Sequence, residues 1–188
     1  MGGMNRKPPD ADALHEAALN HLARYAATQA SLARVLARRV DRWARFAAGS
    51  EAADPQALAA AARAAKEAIP SVIARLREAG VLDDAAFAAA RARRLARGGK
   101  SRRLTLAHLA AKGVGMGIAA EIVEESPERE LAAACAYLRR RRAGPFGDAP
   151  ELKTLAAMAR AGFSQDIAMR ALRMGQDEAE TWIKTLQA

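Results

Sequence analysis

Two stretches of the chain repeat each other at a separation of 49 residues. Residues 104–123 read LTLAHLAAKGVGMGIAAEIV, and residues 153–172 read KTLAAMARAGFSQDIAMRAL. The apolar positions coincide, as do the glycines Gly113 and Gly162 and the apolar residues that follow them, Val114 and Phe163. A match at a fixed period is typical of tandem helical units. The repeat therefore predicts short helical modules rather than one large core.

The composition favours helices along the whole chain. Apolar residues make up 51% of it, but much of that share is alanine, and aromatic residues account for only 4%. Alanine is the strongest helix former, and no segment alternates at the period of a half-buried strand. We therefore predict an all-α fold. Apolar stripes at helical spacing include Leu14, Ala18, Leu22 and Tyr25 near the start, and Leu152, Leu155 and Met158 further along.

Local signals mark where the helices begin and end. The predicted N-caps are Ser101, Ser126 and Ser164, and the predicted C-terminal turn residues are Gly80, Gly113 and Gly162. Asp83 and Asp84 could form a catalytic or metal-binding pair. A helix N-cap followed by a first-turn acid explains both residues, since the helix dipole favours negative charge there. We expect the capping role.

The repeat and these boundaries predict the organisation of the chain. We expect a disordered tail over residues 1–12, three-helix units over 13–82, 83–125 and 126–175, and a C-terminal helix over 176–188. The first unit holds an alanine-rich insertion near residues 47–68. Tandem three-helix repeats of this kind are predicted to form an elongated, curved helical array.

Positive charge is concentrated in one segment. The chain carries a net charge of +9, residues 91–103 hold seven cations, and residues 85–120 contain no acid. Such a surface favours a polyanion, although a solvated helix face is the alternative. A second cluster ends a later helix, where the dipole alone favours cations. The predicted partner-binding or DNA-binding residues are Arg91, Arg93, Arg94, Arg97, Lys100, Arg102, Arg103, Lys112, Arg139, Arg140, Arg141 and Arg142.

The sequence offers little for catalysis or metal binding. His15 and His21 are six residues apart and do not share a helix face, and His108 stands alone. The GGKS segment at residues 98–101 lacks the first glycine of a phosphate-binding loop and a preceding strand. We therefore expect no enzymatic activity, no metal and no cofactor.

The single cysteine, Cys135, excludes an internal disulfide and a cysteine metal cluster. There is no run of eighteen apolar residues and no signal-peptide pattern at the N-terminus. We therefore expect a cytoplasmic protein that does not enter a membrane, and we expect it to be a monomer.

Three motifs together resemble the RecX family of bacterial regulatory proteins. They are LREAGVLDDAAFAAARARR at residues 76–94, LAAKGV at 109–114 and RAGFSQDIAMRAL at 160–172. Their order and spacing cover most of the chain. The first unit departs from the family pattern, since Val40 stands where its turn glycine would be.

The resemblance implies a partner and a mode of action. RecX proteins modulate the RecA recombinase in DNA repair and the SOS response, lodging in the groove of the RecA filament on single-stranded DNA. The resemblance thus implies a non-enzymatic regulator that damps strand exchange, ATP hydrolysis and coprotease activity, with direct but weak DNA binding. Two alternatives remain open at this point: a helix-turn-helix DNA-binding protein, and a helical scaffold for an acidic protein.

Overall fold

A computed structural model of the chain describes residues 7–49 and 54–186. Within those residues every regular element is helical, which confirms the predicted all-α fold. A 3₁₀ turn lies at Gly144–Phe146. The α-helices are α1 Ala11–Leu22, α2 Gln29–Ala47, α3 Pro55–Glu67, α4 Ile69–Glu78, α5 Asp84–Arg97, α6 Arg102–Lys112, α7 Met116–Ile122, α8 Pro127–Arg141, α9 Glu151–Arg160, α10 Gln165–Arg173 and α11 Gln176–Thr185.

The chain forms two compact units, and the boundary between them falls inside α5, after Phe87. The predicted division into three three-helix units stays a prediction. Residues 1–6 of the predicted tail, 50–53 of the insertion and 187–188 of the last helix lie outside the described residues. Asp10 accepts a hydrogen bond from the Ala13 amide, and α1 begins at Ala11.

The first unit packs α1 to α4 around one apolar core. Its fully buried side chains include Leu14, Leu32, Leu36, Val40 and Val72. Burying a leucine or valine of this kind contributes about 1.5–3 kcal/mol relative to leaving it exposed. The alanine-rich insertion forms α3, which lies against α2.

Two aspartates act at the start of α5: Asp83 caps the helix itself, and Asp84 links it to α2. The Asp83 carboxylate accepts hydrogen bonds from the amides of Ala85 and Ala86 at 2.8 and 2.9 Å. Asp84 is buried, and its carboxylate accepts from the Gln29 amide at the first turn of α2, at 2.8 Å. The Asp83 cap on α5 confirms the prediction, whereas the contact of Asp84 with the N-terminus of α2 was not predicted.

The second unit has α8 at its centre, with α10 and α11 packed against it. Every residue of α8 from position 131 to 136 is buried, and all but the first are alanine or Cys135, which lets the neighbouring helices approach closely. Phe163 is buried beside them, with its ring edge-on to Tyr137 at 5.6 Å. Burial raises the pKa of the Cys135 thiol to about 11.

The repeated stretches form matching helix pairs. α6 and α9 begin at Arg102 and Glu151, and α7 and α10 begin at Met116 and Gln165, so both offsets are 49 residues. Gly113 and Gly162 both have left-handed backbones, with φ of 85° and 89°. The predicted local repeat therefore exists in these two pairs, while superposition of whole three-helix units stays a prediction.

Two apolar side chains depart from their predicted stripes. Leu152 is 82% exposed, because Thr154 and Met158 define the buried face of α9 and Leu152 lies about 200° around the helix from Thr154. Tyr25 is 62% exposed, because α1 ends at Leu22 and the helical spacing does not continue to it. Both residues were wrongly predicted to face a core.

Candidate partner-binding surface

The exposed face of α5 carries the first group of predicted cations. Ala88 and Ala92, one helical turn apart, bury the opposite side of this helix. Arg93, Arg94 and Arg97 are exposed, and their side chains make no hydrogen bond or ion pair with another described residue. The α5 face is therefore open to a partner.

Arg91 points away from that open face and contacts α6. Its Nε donates a hydrogen bond to Nε2 of His108 at 2.9 Å. The pKa of His108 lies below its ordinary value, first because of partial burial and then because of the positive charges of Arg91, Lys112 and Lys100. A neutral imidazole can accept the bond from Arg91, whereas a protonated one cannot.

The turn between α5 and α6 is pressed against α8. Gly99 has a φ of 69°, and a Cβ atom at this position would lie 2.5 Å from the Tyr137 amide nitrogen. Arg140 of α8 donates a hydrogen bond to the Gly98 carbonyl at 2.6 Å. The turn therefore brings the first predicted cluster next to the second.

Arg102, at the start of α6, is occupied by contacts inside the protein. Its amide donates to the Glu130 carboxylate at 2.8 Å, and its Nε donates to the Val123 carbonyl at 2.9 Å. Burial raises the pKa of Glu130, while the Arg102 amide and charge oppose that rise. Arg102 thus anchors α6 to its neighbours.

Arg103 and its neighbour Ser101 link α6 to the turn after α9. The Ser101 hydroxyl accepts from the Leu104 amide, which confirms the predicted cap, and donates to the Ala161 carbonyl at 2.6 Å. Arg103 is exposed and makes one long hydrogen bond, 3.4 Å, to the Ala159 carbonyl. Its guanidinium therefore keeps most of its donors for a partner.

The second predicted cluster is mostly engaged. Arg139 forms an ion pair with Glu180 at 2.9 Å, and Arg141 lies over the Tyr137 ring at 4.9 Å. Arg142 is exposed, with a left-handed backbone, φ 51°, at the end of α8.

Lys112 is exposed at the last turn of α6, where the helix dipole favours a cation.

Four of the twelve predicted residues thus form the open part of the surface around α5. We call Arg93, Arg94, Arg97 and Lys100 the α5 cation cluster. All four are exposed, and the side chain of Lys100 likewise makes no hydrogen bond or ion pair with a described residue. Multiple unpaired cations on one surface attract phosphate or carboxylate groups.

Sequence reasoning missed the contacts that occupy Arg102 and Arg140. Their partners, Glu130 and the Gly98 carbonyl, are 28 and 42 residues away along the chain. No local signal marks such pairs, since both depend on how α8 packs against the α5–α6 turn.

Other kinds of site receive no support from the described residues. Within 7–49 and 54–186, no three His, Cys, Asp or Glu side chains are grouped as ligands of a metal ion would be. No helix in that part of the chain has both the length and the apolar character needed to cross a membrane.

The chain is similar to two curated proteins named regulatory protein RecX. The protein from Myxococcus xanthus is 37% identical over 167 residues, which span 85% of this chain and 83% of the relative. The protein from Agrobacterium fabrum is 35% identical over 104 residues, 53% of this chain and 55% of the relative.

One solved structure shares the fold. The crystal structure of RecX from Lactobacillus salivarius matches with a TM-score of 0.55 and 17% identity, covering 94% of this chain and 96% of that one. No protein-family model matches the chain.

Proposed function

Since the chain belongs to the RecX family of regulatory proteins, we propose that it binds the RecA filament on single-stranded DNA and lowers the recombinase, ATPase and coprotease activities of RecA. It acts by occupying a surface of the filament, without catalysing a reaction of its own. It works as a monomer in the cytoplasm, where the filament forms, and it touches DNA directly but weakly.

The α5 cation cluster is the observation that carries this proposal beyond the family. Four exposed cations lie within eight residues of the sequence, in a stretch from residue 85 to 120 that has no acid, on a chain with a net charge of +9. A filament of protein on DNA presents both phosphates and acidic side chains. Unpaired cations gain most from such a polyanion, because no internal ion pair has to be broken first.

The two alternatives receive less support. In a helix-turn-helix protein the second helix reads base edges, usually with cationic or amide side chains. In the α6–α7 pair that helix is α7, whose sequence MGIAAEI has no Lys, Arg, Asn or Gln and one Glu. In the matching α9–α10 pair, α10 carries Gln165, Arg170 and Arg173, and Arg170 lies over the Trp182 ring at 5.6 Å. If the protein were a scaffold for an unrelated acidic protein, its similarity to RecX proteins would have no explanation.

The proposal is tested by RecA-dependent ATP hydrolysis on single-stranded DNA, titrated with the full chain. Substoichiometric protein should lower the hydrolysis rate, since one bound regulator affects neighbouring filament subunits. The filaments, measured by electron microscopy, should shorten or stop growing over the same range of protein concentration. An unchanged rate and unchanged filaments at excess protein would refute the proposed function.

A further inference from the structure

Tyr25 is an exposed aromatic residue just after α1, and its ring contacts another ring. Its amide donates to the His21 carbonyl at 2.9 Å, which makes one last turn after α1 ends. Its ring contacts the His21 imidazole, with centroids 5.2 Å apart and planes tilted by 40°. With 62% of the residue exposed, one face of the ring remains accessible to a ligand.

Tyr25 lies on the wall of a groove between α1 and α2. The groove has a volume of about 610 Å³, and its floor includes the fully buried Leu36. The polar residues that line it are Asn20, His21, Arg24, Tyr25, Arg39 and Arg42. It lies entirely within the first unit, whereas the α5 cation cluster belongs to the second.

The charged residues that line this groove are all positive. Arg39 and Arg42 are three residues apart on one face of α2, and Arg24 lies on the opposite wall. The side chains of all three are without an ion pair or hydrogen bond to any described residue. No carboxylate is found among the described residues that line the groove. Asp41 of α2 is not among them and is paired with Lys66.

We propose that this groove binds single-stranded nucleic acid, with backbone phosphates against Arg24, Arg39 and Arg42 and an unpaired base stacked on Tyr25. Sites for single strands combine a cationic groove with aromatic faces on which bases stack. A duplex hides its base faces, so it offers the tyrosine nothing to stack on. An acidic peptide would match the arginines, but it would not make use of the exposed ring.

This inference deepens the proposed function, because it gives direct contact with DNA a place on the protein. Its test therefore leaves RecA out, so that the two proposals can fail separately. The full chain is titrated into a fluorescently labelled oligothymidylate, and into a labelled duplex of equal length, with anisotropy as the readout.

The tyrosine is tested by Tyr25→Ala against the conservative Tyr25→Phe. Loss of one stacked base should weaken binding to oligothymidylate about fivefold or more, while Tyr25→Phe should bind as the natural chain does. Affinity for the duplex should be the same for all three proteins. Equal oligothymidylate affinity of Tyr25→Ala and the natural chain, with helicity retained, would overturn the proposal.

The arginines are tested by the double variant Arg39→Gln and Arg42→Gln. Its control is Arg38→Gln with Arg45→Gln, which removes the same charge from the same helix outside the groove. Two lost phosphate contacts should reduce the slope of log affinity against log salt by about 1.4, and the control should reduce it less. If the groove variant lost affinity for polyglutamate but kept its affinity for oligothymidylate, the groove would bind acidic protein and the proposal would be wrong.

Discussion

The region α5–α7 and the region α8–α10 share their local structure but differ in what their side chains contact. In each, a helix that ends in cations is followed by a helix pair joined at a left-handed glycine. The Val114 amide bonds to the Leu109 carbonyl at 3.0 Å, and the Phe163 amide bonds to the Met158 carbonyl at 3.1 Å. The backbone of the turn is therefore the same in both.

The side chains show how the two regions have diverged. Phe163 fills the core around α8, while its counterpart Val114 is smaller and, although buried, is not part of that core. Arg139 and Arg140 at the end of α8 are held by Glu180 and the Gly98 carbonyl, whereas Arg94 near the end of α5 has no such bond. One region is thus built for stability, and the other keeps its cations available.

The largest effect is expected from truncating the two residues after the turn glycines. Phe163→Ala should lower the free energy of unfolding by about 3–5 kcal/mol, because it empties a large buried volume. Val114→Ala should cost about 2 kcal/mol, since only two carbons are lost. Urea unfolding followed by circular dichroism measures both. Equal losses would show that the two positions contribute equally to the free energy of unfolding.

A smaller effect is expected at the glycine turn of the second region. Gly162→Ala places a Cβ 2.6 Å from the Ser101 hydroxyl and 2.8 Å from Arg103 Nε, on a backbone with φ of 89°. We expect a loss of about 2–3 kcal/mol from backbone strain and a displaced hydrogen bond. Gly80→Ala is the control, because its backbone is also left-handed but nothing lies within 4 Å of the added atom. If Gly162→Ala unfolded at the same Tm as Gly80→Ala or at a higher one, the close contact of Gly162 with Ser101 and Arg103 would be contradicted.

A still smaller, pH-dependent effect is expected at His108, whose counterpart at the same offset is Ala157. The folded state lowers the pKa of His108 below its ordinary 6.5, so the unfolded chain takes up the proton first as pH falls. Stability from the Arg91 contact is therefore complete above pH 6.5 and declines below it. His108→Gln, which keeps an uncharged acceptor, should have a flatter pH profile of urea unfolding. Identical profiles would argue against this contact.

The smallest effect on stability is expected from the α5 cation cluster. Replacing Arg93, Arg94, Arg97 and Lys100 with Gln should change the free energy of unfolding by less than about 0.5 kcal/mol, since no internal contact is lost. Affinity for the filament should fall. The control for the loss of charge is a variant in which four other exposed cations, Arg63, Arg160, Arg173 and Lys184, are replaced with Gln. All eight residues are exposed.

Salt dependence then separates the two kinds of partner for the cluster. If its cations meet phosphates, each lost contact should reduce the salt slope by about 0.7–0.9, on bare DNA as well as on filaments. If they meet acidic side chains of RecA, filament affinity should fall while affinity for bare DNA stays the same. Equal losses for the cluster and control variants would identify the cluster as a solvated face.

The fold was predictable from the sequence where local chemistry decides it. Ser101, Ser126 and Ser164 cap helices as predicted, and Gly113 and Gly162 adopt the left-handed turns. These features depend on a few neighbouring atoms, which the sequence specifies directly.

The candidate surface was less predictable because it depends on distant parts of the chain. Whether Arg102 or Arg140 is available is decided by Glu130 and Gly98, which only folding brings near. The exposure of Tyr25 depends on α1 ending three residues earlier, and a stripe at regular spacing does not reveal where its helix stops.

The buried thiol allows the opening of the second unit to be measured by chemical labelling. Cys135 is the chain's single cysteine, lies 3.8 Å from the Met174 sulfur and has a pKa of about 11. A thiol reagent reacts with the thiolate, which the folded core both shields and disfavours. When reclosing outpaces the reagent, the labelling rate of the natural chain measures the population of the open α8 core, and when the reagent outpaces reclosing it measures the rate of opening.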